Sequence, residues 1–493
     1  MSILVNGKNN LEGIVGIEVN DNIAEIFLAN GDVVIASNRR WILSNESHGR
    51  DWVKLDGSLH YQYGKTYKED KYYYGDKKAL KDADIFTIAD PKESFMVRSG
   101  HTYFKNLQPK DLSVLSFDIE TTGLKHDENS KILIISNTFR KNGNTIRHMF
   151  TFDEYETQGE LLMSWCAWVR NLNPDIIVGH NIYTYDLPYM AFIASCEGIA
   201  MHLGKDVSPI KFFPYESFKR IDGNRKQAYN KCRIFGREVI DTMFLSINYD
   251  VSHKYESYAL KKIIAHEGLE VANRQFYDAA TIKDNYTNSE EWNKIKAYAE
   301  HDADDSLALY DLMAPAFFYL TQSVPKSFQS IIEGASGSQI NSMMIRSYLQ
   351  IGHSLPKATD VMPFEGAISW GGPGIYKNVI KWDVASLYPS IMIEYNIYDK
   401  VKDPKAHMSE ILKIFTEQRL RYKKLAKETG LKYYDDMQAA GKICINSMFG
   451  FMGAPGLNFN YVEGAALVTK YGREILNKAI EWSTGKTYEQ WNI

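Results

Sequence analysis

The sequence predicts a multidomain α/β protein, and three observations predict it. The first is size: 493 residues, 44% of them hydrophobic, can fill several cores, where one domain takes roughly 100 to 200 residues. The second is a series of short β-rich pieces near the amino terminus, GIVGIEV, NIAEIFLA and DVVIAS. The third is a switch at Ser113 to apolar strands interleaved with helical periodicity, in SVLSFDIE, KILIISNTF, ELLMSWCAWVRNL and PDIIVGHN.

In chain order, residues 1 to about 110 read as β-rich and end in a polar, tyrosine-rich stretch. There Tyr72, Tyr73 and Tyr74 read as an exposed β-edge before they read as platforms for stacked bases. The α/β part follows, and residues 291–318 carry apolar positions at helical spacing. A GASGS stretch from Gly334 loosens the chain, and the turn Trp370 to Gly374 precedes a strand in NVIKWDVASLY. Two helices joined by a polar turn complete the pattern, SEILKIFTEQRLRYKKLAKETG and DMQAAGKICINSMFGFMG.

Composition excludes several classes. No apolar run approaches the ~18 residues of a membrane span, and no basic region precedes an apolar stretch at the start. A cytoplasmic protein with no membrane partner is expected. Cys166, Cys196, Cys232 and Cys444 lie too far apart for a zinc knuckle and read as reduced, buried thiols. With 61 acidic against 57 basic residues the net charge is -4, so a polyanionic partner needs a local basic patch.

Asp118 and Glu120 alternate within an apolar strand, which puts both carboxylates on one face of the sheet. Like charges buried there need a counter-charge. Two divalent cations about 3.5 to 4 Å apart would supply it and would activate water against a phosphodiester. Asp186 follows the strand-like PDIIVGHN and opens a helix, where α/β sheets place ligand groups. Tyr298 and Asp302 are four apart on one helix face, so the phenol can orient a water beside a metal-bound carboxylate. His180 reads as a structural histidine, Arg237 with Asp241 as a buried polar pair, and Asp304 and Asp305 as solvated.

Downstream, Asp383 stands at the end of an apolar strand, before a helix start at Ser386, Leu387 and Tyr388 whose free N–H groups suit phosphate oxygens. Arg419 and Lys423 are four apart on one helix, and Lys442, Asn446 and Gly450 recur every four residues on the next. Converging from antiparallel helices, such cations could neutralise a triphosphate.

Asp118-Ile-Glu120-Thr-Thr-Gly, Asn181 to Asp186 and Tyr298 to Asp302 resemble, in order, the three motifs of 3'-5' exonucleases with four acidic residues and a tyrosine. Asp383 to Ser390 and Lys442 to Gly450 resemble motifs A and B of family B DNA polymerases, and Phe364-Glu-Gly-Ala367 resembles that family's linker motif. The resemblance implies a β-rich amino-terminal domain over 1–110 and a ribonuclease H-like exonuclease domain over 111–335. It implies a linker over 336–360, palm over 361–405, two-helix fingers over 406–455 and incomplete palm over 456–493. Asp118, Glu120, Asp186 and Asp302 are implied as metal ligands, with Tyr298 positioning the attacking water. Asp383 and the Val384 carbonyl are implied to hold catalytic metal, Tyr388 to exclude a 2'-hydroxyl, and Arg419, Lys423 and Lys442 to hold the triphosphate. Asn446 would support Tyr388. Phe449 stands where the family has tyrosine, which keeps stacking and loses a hydroxyl.

The implied cofactor is Mg2+, two per site, with Mn2+ as the alternative. The implied partners are primer-template and single-stranded DNA, deoxynucleoside triphosphates and, further off, a sliding clamp. No Tyr-Gly-Asp-Thr-Asp-Ser hairpin follows Lys442 to Gly450, so Asp383 is expected to need a second chain carrying motif C and the thumb, as in a split, viral replicative polymerase in its host's cytoplasm. A stand-alone exonuclease and a non-catalytic DNA-binding scaffold remain the alternatives.

Overall fold

The computed structural model describes residues 3–491 except 21, 68–77, 79, 81–82, 128, 223–224, 252, 271–276, 369–373, 382 and 385. At the amino terminus, β1 (Ile14–Val19), β2 (Ile23–Leu28) and β3 (Val33–Ser37) form an antiparallel meander from the three predicted pieces. Strands β4 (Arg40–Ser44), β5 (Val53–Lys54), β6 (Tyr63–Tyr67) and β7 (Ile85–Phe86) form a second sheet in the order β5-β6-β4-β7. Tyr72, Tyr73 and Tyr74 lie outside the described residues. Helix α1 (Pro91–Ser99) starts at Asp90, whose carboxylate accepts from Glu93 N, and ends at Gly100 with φ 80°, a left-handed cap suited to glycine.

The central sheet is built from β8 (Val114–Thr121), β9 (Ile132–Lys141), β10 (Asn144–Thr151), β11 (Ile176–Gly179) and β12 (Glu238–Asp241), ordered β10-β9-β8-β11-β12. The β8, β9 and β10 ladder is antiparallel, whereas β11 runs parallel to both β8 and β12. Helix α2 (Gln158–Leu172) covers one face with Leu161, Leu162, Trp165 and Val169, all buried, and the Trp165 indole donates to Asn137 Oδ1 at 2.9 Å. Helices α3 (Asp186–Cys196), α4 (Thr242–Tyr249), α5 (Leu260–Glu267) and α6 (Ile282–Asn285) follow. The long helix α7 (Ser289–Thr321) includes the predicted segment, is capped by Asn288 and packs on β8 and β9.

Three expectations change. The GASGS stretch opens a regular helix, α8 (Ser336–Leu349), which is buried against α1 and a later helix. Its small residues serve close packing: a Cβ on Gly337 would meet Phe451 Cα at 3.5 Å. Cys196 is exposed, while Cys166, Cys232 and Cys444 are buried, and all are free thiols. NVIKWDVASLY is not a strand among the described residues. Ile375, Val379, Ile380 and Val384 are 96%, 71%, 78% and 53% exposed, and no described strand lies beyond Asp241. A strand forms only when its backbone groups find a ladder partner, and none lies beside these residues among the described residues.

The remainder is helical: α9 (Leu387–Glu394), α10 (His407–Thr429), α11 (Lys432–Met452) and α12 (Val462–Thr484). The two predicted helices appear as α10 and α11, separated by Gly430 with φ 67°. Helix α11 also leans on α7, where the Tyr433 and Tyr319 rings meet edge to face at 5.5 Å.

Candidate active site

Strand β8 presents Asp118 and Glu120 two residues apart, opposite Ser136 and Ile134 of β9. Asp302 on α7 reaches the same point, and one oxygen from each of Asp118, Glu120 and Asp302 lies within 4.8 Å of the others. Glu120 and Asp302 are buried and Asp118 partly so. Asp186 joins them from the first turn of α3. Its Oδ1 accepts from Ile119 N at 3.3 Å, beyond the point where β11 stops pairing with β8.

The turn that delivers Asp186 is held from below by Asp241. Its carboxylate accepts from Asn181 N at 2.8 Å, Tyr183 N at 3.2 Å and Met243 N at 2.9 Å, so one side chain caps α4 and fixes the turn. Asn181 has φ 64°, a left-handed conformation that asparagine tolerates. Burial raises Asp241 to about 6 despite those donors. Arg237 and Asp241 are both buried but are not paired with one another: Arg237 donates to Leu203 O, Asn173 Oδ1 and Pro174 O. His180 bridges Thr242 Oγ1 and the Tyr258 carbonyl, 2.9 Å each, in a structural place. Asp304 accepts from Thr138 and Arg147, whereas Asp305 is buried rather than solvated, because α7 is covered on more of its circumference than its sequence suggests.

Gathering these carboxylates strains their ionisation. Burial first, then the charges of Asp186, Asp302 and Glu120, pushes Asp118 well above the usual carboxylate range. Burial, then Asp302, raises Glu120, and burial raises Asp186. The Lys261 ammonium opposes the cluster, and sequence reasoning missed it. Lys261 of α5 donates to the Tyr298 hydroxyl oxygen, holds its ammonium 3.9 Å from that ring's centroid and lies 3.7 Å from Asp302 Oδ2. In the sequence, Lys261 is one lysine of a pair in an amphipathic helix, with nothing to mark it as inward-facing.

The oxygen-only donor set fits a hard divalent cation such as Mg2+ or Mn2+. Asp118, Glu120 and Asp186 line a cleft of about 980 Å³ together with Thr121, Lys125, Asn181, Tyr185, Lys283 and Tyr286.

The second predicted constellation is looser. Asp383 and Val384 are exposed. Ser386 precedes α9 and its Oγ accepts from Arg419 at 2.5 Å. Leu387 and Tyr388 open α9, and the Tyr388 ring lies 4.5 Å from that of Phe449. Lys442, Asn446 and Gly450 form an exposed stripe on α11, and Lys423 is exposed on α10.

Two family models match the chain, the exonuclease domain of DNA polymerase family B over residues 91–263 and DNA polymerase family B over residues 398–490. The chain belongs to DNA polymerase family B. The first family B segment takes in Asp118, Glu120 and Asp186, while Tyr298, Asp302 and Asp383 fall between the two. The DNA polymerase delta catalytic subunit of Arabidopsis thaliana is 28% identical over 430 residues, covering 74% of this chain and 38% of that protein. A DNA polymerase of Archaeoglobus fulgidus is 24% identical over 442 residues, covering 82% of this chain and 52% of its own length. This family B chain therefore spans about half or less of the curated relatives it matches. The solved family B DNA polymerase of the hyperthermophilic archaeon Pyrobaculum calidifontis shares the fold with a TM-score of 0.73 at 17% identity, over 95% of this chain and 71% of that one.

Proposed function

We propose that this chain hydrolyses single-stranded DNA from the 3' end at Asp118, Glu120, Asp186 and Asp302. The observation that carries the reading is the meeting of Asp118, Glu120 and Asp302 oxygens within 4.8 Å, with Asp186 beside them. Divalent ions held by these oxygens supply Lewis-acid activation of water and neutralise charge at the scissile phosphate. Tyr298, its oxygen already accepting from Lys261, keeps its proton to orient a water molecule, because burial and Asp302 raise its pKa. Lys261 offsets part of the carboxylate charge beside it. Asp241 holds the turn from beneath, and His180, on the cleft wall, ties it to Thr242 and Tyr258.

Template-directed nucleotidyl transfer is the second activity proposed, centred on Asp383, with Arg419, Lys423 and Lys442 gripping the triphosphate and Tyr388 screening the sugar. Residues 1–493 supply Asp383 but no Tyr-Gly-Asp-Thr-Asp-Ser hairpin, and phosphoryl transfer of this kind needs further acidic ligands. Synthesis is therefore proposed to depend on polypeptide outside these residues, whose strands would also cover the exposed Ile375, Val379, Ile380 and Val384. Two end-labelled oligonucleotides test both readings. With Mg2+ the chain should shorten a 5'-labelled strand stepwise, release label at once from a 3'-labelled one, and extend no primer. Endonucleolytic products, or intact DNA in both Mg2+ and Mn2+, would sink the nuclease reading. Primer extension by residues 1–493 would sink the second.

A further inference from the structure

A single strand entering the cleft brings phosphates toward a cluster of carboxylates on a chain of net charge -4, so something local must hold it. Lys125 and Lys283 line that cleft from two separate segments. Both are exposed, and among the described residues neither forms an ion pair with a carboxylate. Both are also set on braced backbone. The Lys125 loop is pinned at its base, where Thr122 N donates to Lys131 O at 3.1 Å and Lys131 N returns to Thr122 Oγ1 at 2.9 Å. Within it Ser130 Oγ donates to the Lys125 carbonyl at 2.7 Å. Lys283 follows Ile282, which is buried in the apolar cluster that also contains Trp292 and Tyr298. Tyr286, one turn on, packs edge to face on Phe152 at 5.4 Å. The wall that carries Lys283 is thus packed in one piece with the residue proposed to orient the water.

We infer that Lys125 and Lys283 are substrate-binding residues, each neutralising a phosphate of the single strand that leads to the carboxylate cluster. The inference rests on the exonuclease reading for its substrate but is read out by binding. A lysine released from a single-strand phosphate removes about 0.7 from the slope of log affinity against log salt. The same relation makes its loss worth on the order of tenfold in affinity at about 50 mM salt.

The test is fluorescence anisotropy of a short oligothymidylate on the full chain in Ca2+, with salt varied, alongside Mg2+-dependent hydrolysis. Lys283→Ala and Lys125→Ala should each weaken binding by that order, flatten the slope, raise KM and leave kcat near wild type. Lys283→Arg should restore affinity, and Lys294→Ala, on the outer face of α7, should change nothing. Unchanged affinity and slope overturn the inference, as does a fall in kcat without a change in affinity, or weaker binding with the slope intact. A wild-type chain that binds the oligonucleotide yet leaves it uncut in Mg2+ and Mn2+ refutes the exonuclease reading instead, and the binding data still decide the role of the lysines.

Discussion

Burying Asp118, Glu120 and Asp186 beside Asp302 works against the fold whenever they are charged and unaccompanied by a cation. The folded pKa values of Asp118, Glu120 and Asp186 lie above those of free carboxylates, with burial the largest cause in each. These three groups therefore bind more protons in the native chain than in the unfolded one above about pH 4. Their contribution to stability is full below the unfolded pKa values and is lost as pH rises through the folded ones. In EDTA the melting temperature of the wild type relative to D118N with E120Q should accordingly fall from about pH 5 to about pH 8. A difference between the two proteins that is independent of pH would contradict this. Lys261→Met removes the opposing charge and should steepen the loss, read in the same scan. The carboxylates were legible in the sequence because a strand's period of two and a helix's period of about four dictate shared faces. Lys261 was not, since its role depends on α5 lying beside α7, a tertiary fact without local signature.

Elements carry the site by how they end. Strand β11 stops at Gly179, and a Cβ there would lie 2.3 Å from Ile182 Cγ2 and 2.8 Å from the Phe117 carbonyl. Gly179→Ala should destabilise by about 1–3 kcal/mol, the usual cost of overpacking, measured by urea unfolding. Asp241→Ala removes the α4 cap and both turn bonds, so it should cost about 1–3 kcal/mol and lower nuclease kcat through displacement of Asp186. A stable variant with full kcat would show that the turn holds itself. Strands β1, β2, β3, β8 and β9 and helices α2, α7, α10 and α11 were readable from composition and hydrophobic periodicity. NVIKWDVASLY misled because its apolar run has the composition of a strand, while strand formation depends on a neighbour that composition does not encode.

At the scale of the whole molecule, Asp118, Glu120 and Asp302, proposed here for hydrolysis, meet at one point, while Asp383 is exposed. The two should respond independently, as separate sites do. Asp383→Ala should leave hydrolysis within about twofold of wild type, and a larger loss would couple the sites. The order of the motifs along the chain was legible, but the leaning of α11 on α7 was not, because it joins segments more than a hundred positions apart.

The most direct test of the central claim is Mn2+ binding followed by electron paramagnetic resonance, in the wild type and in D118N with D302N. The carboxylate cage predicts tight Mn2+ binding in the wild type that the double substitution abolishes while the fold persists by circular dichroism. Equal Mn2+ binding in both proteins would contradict it.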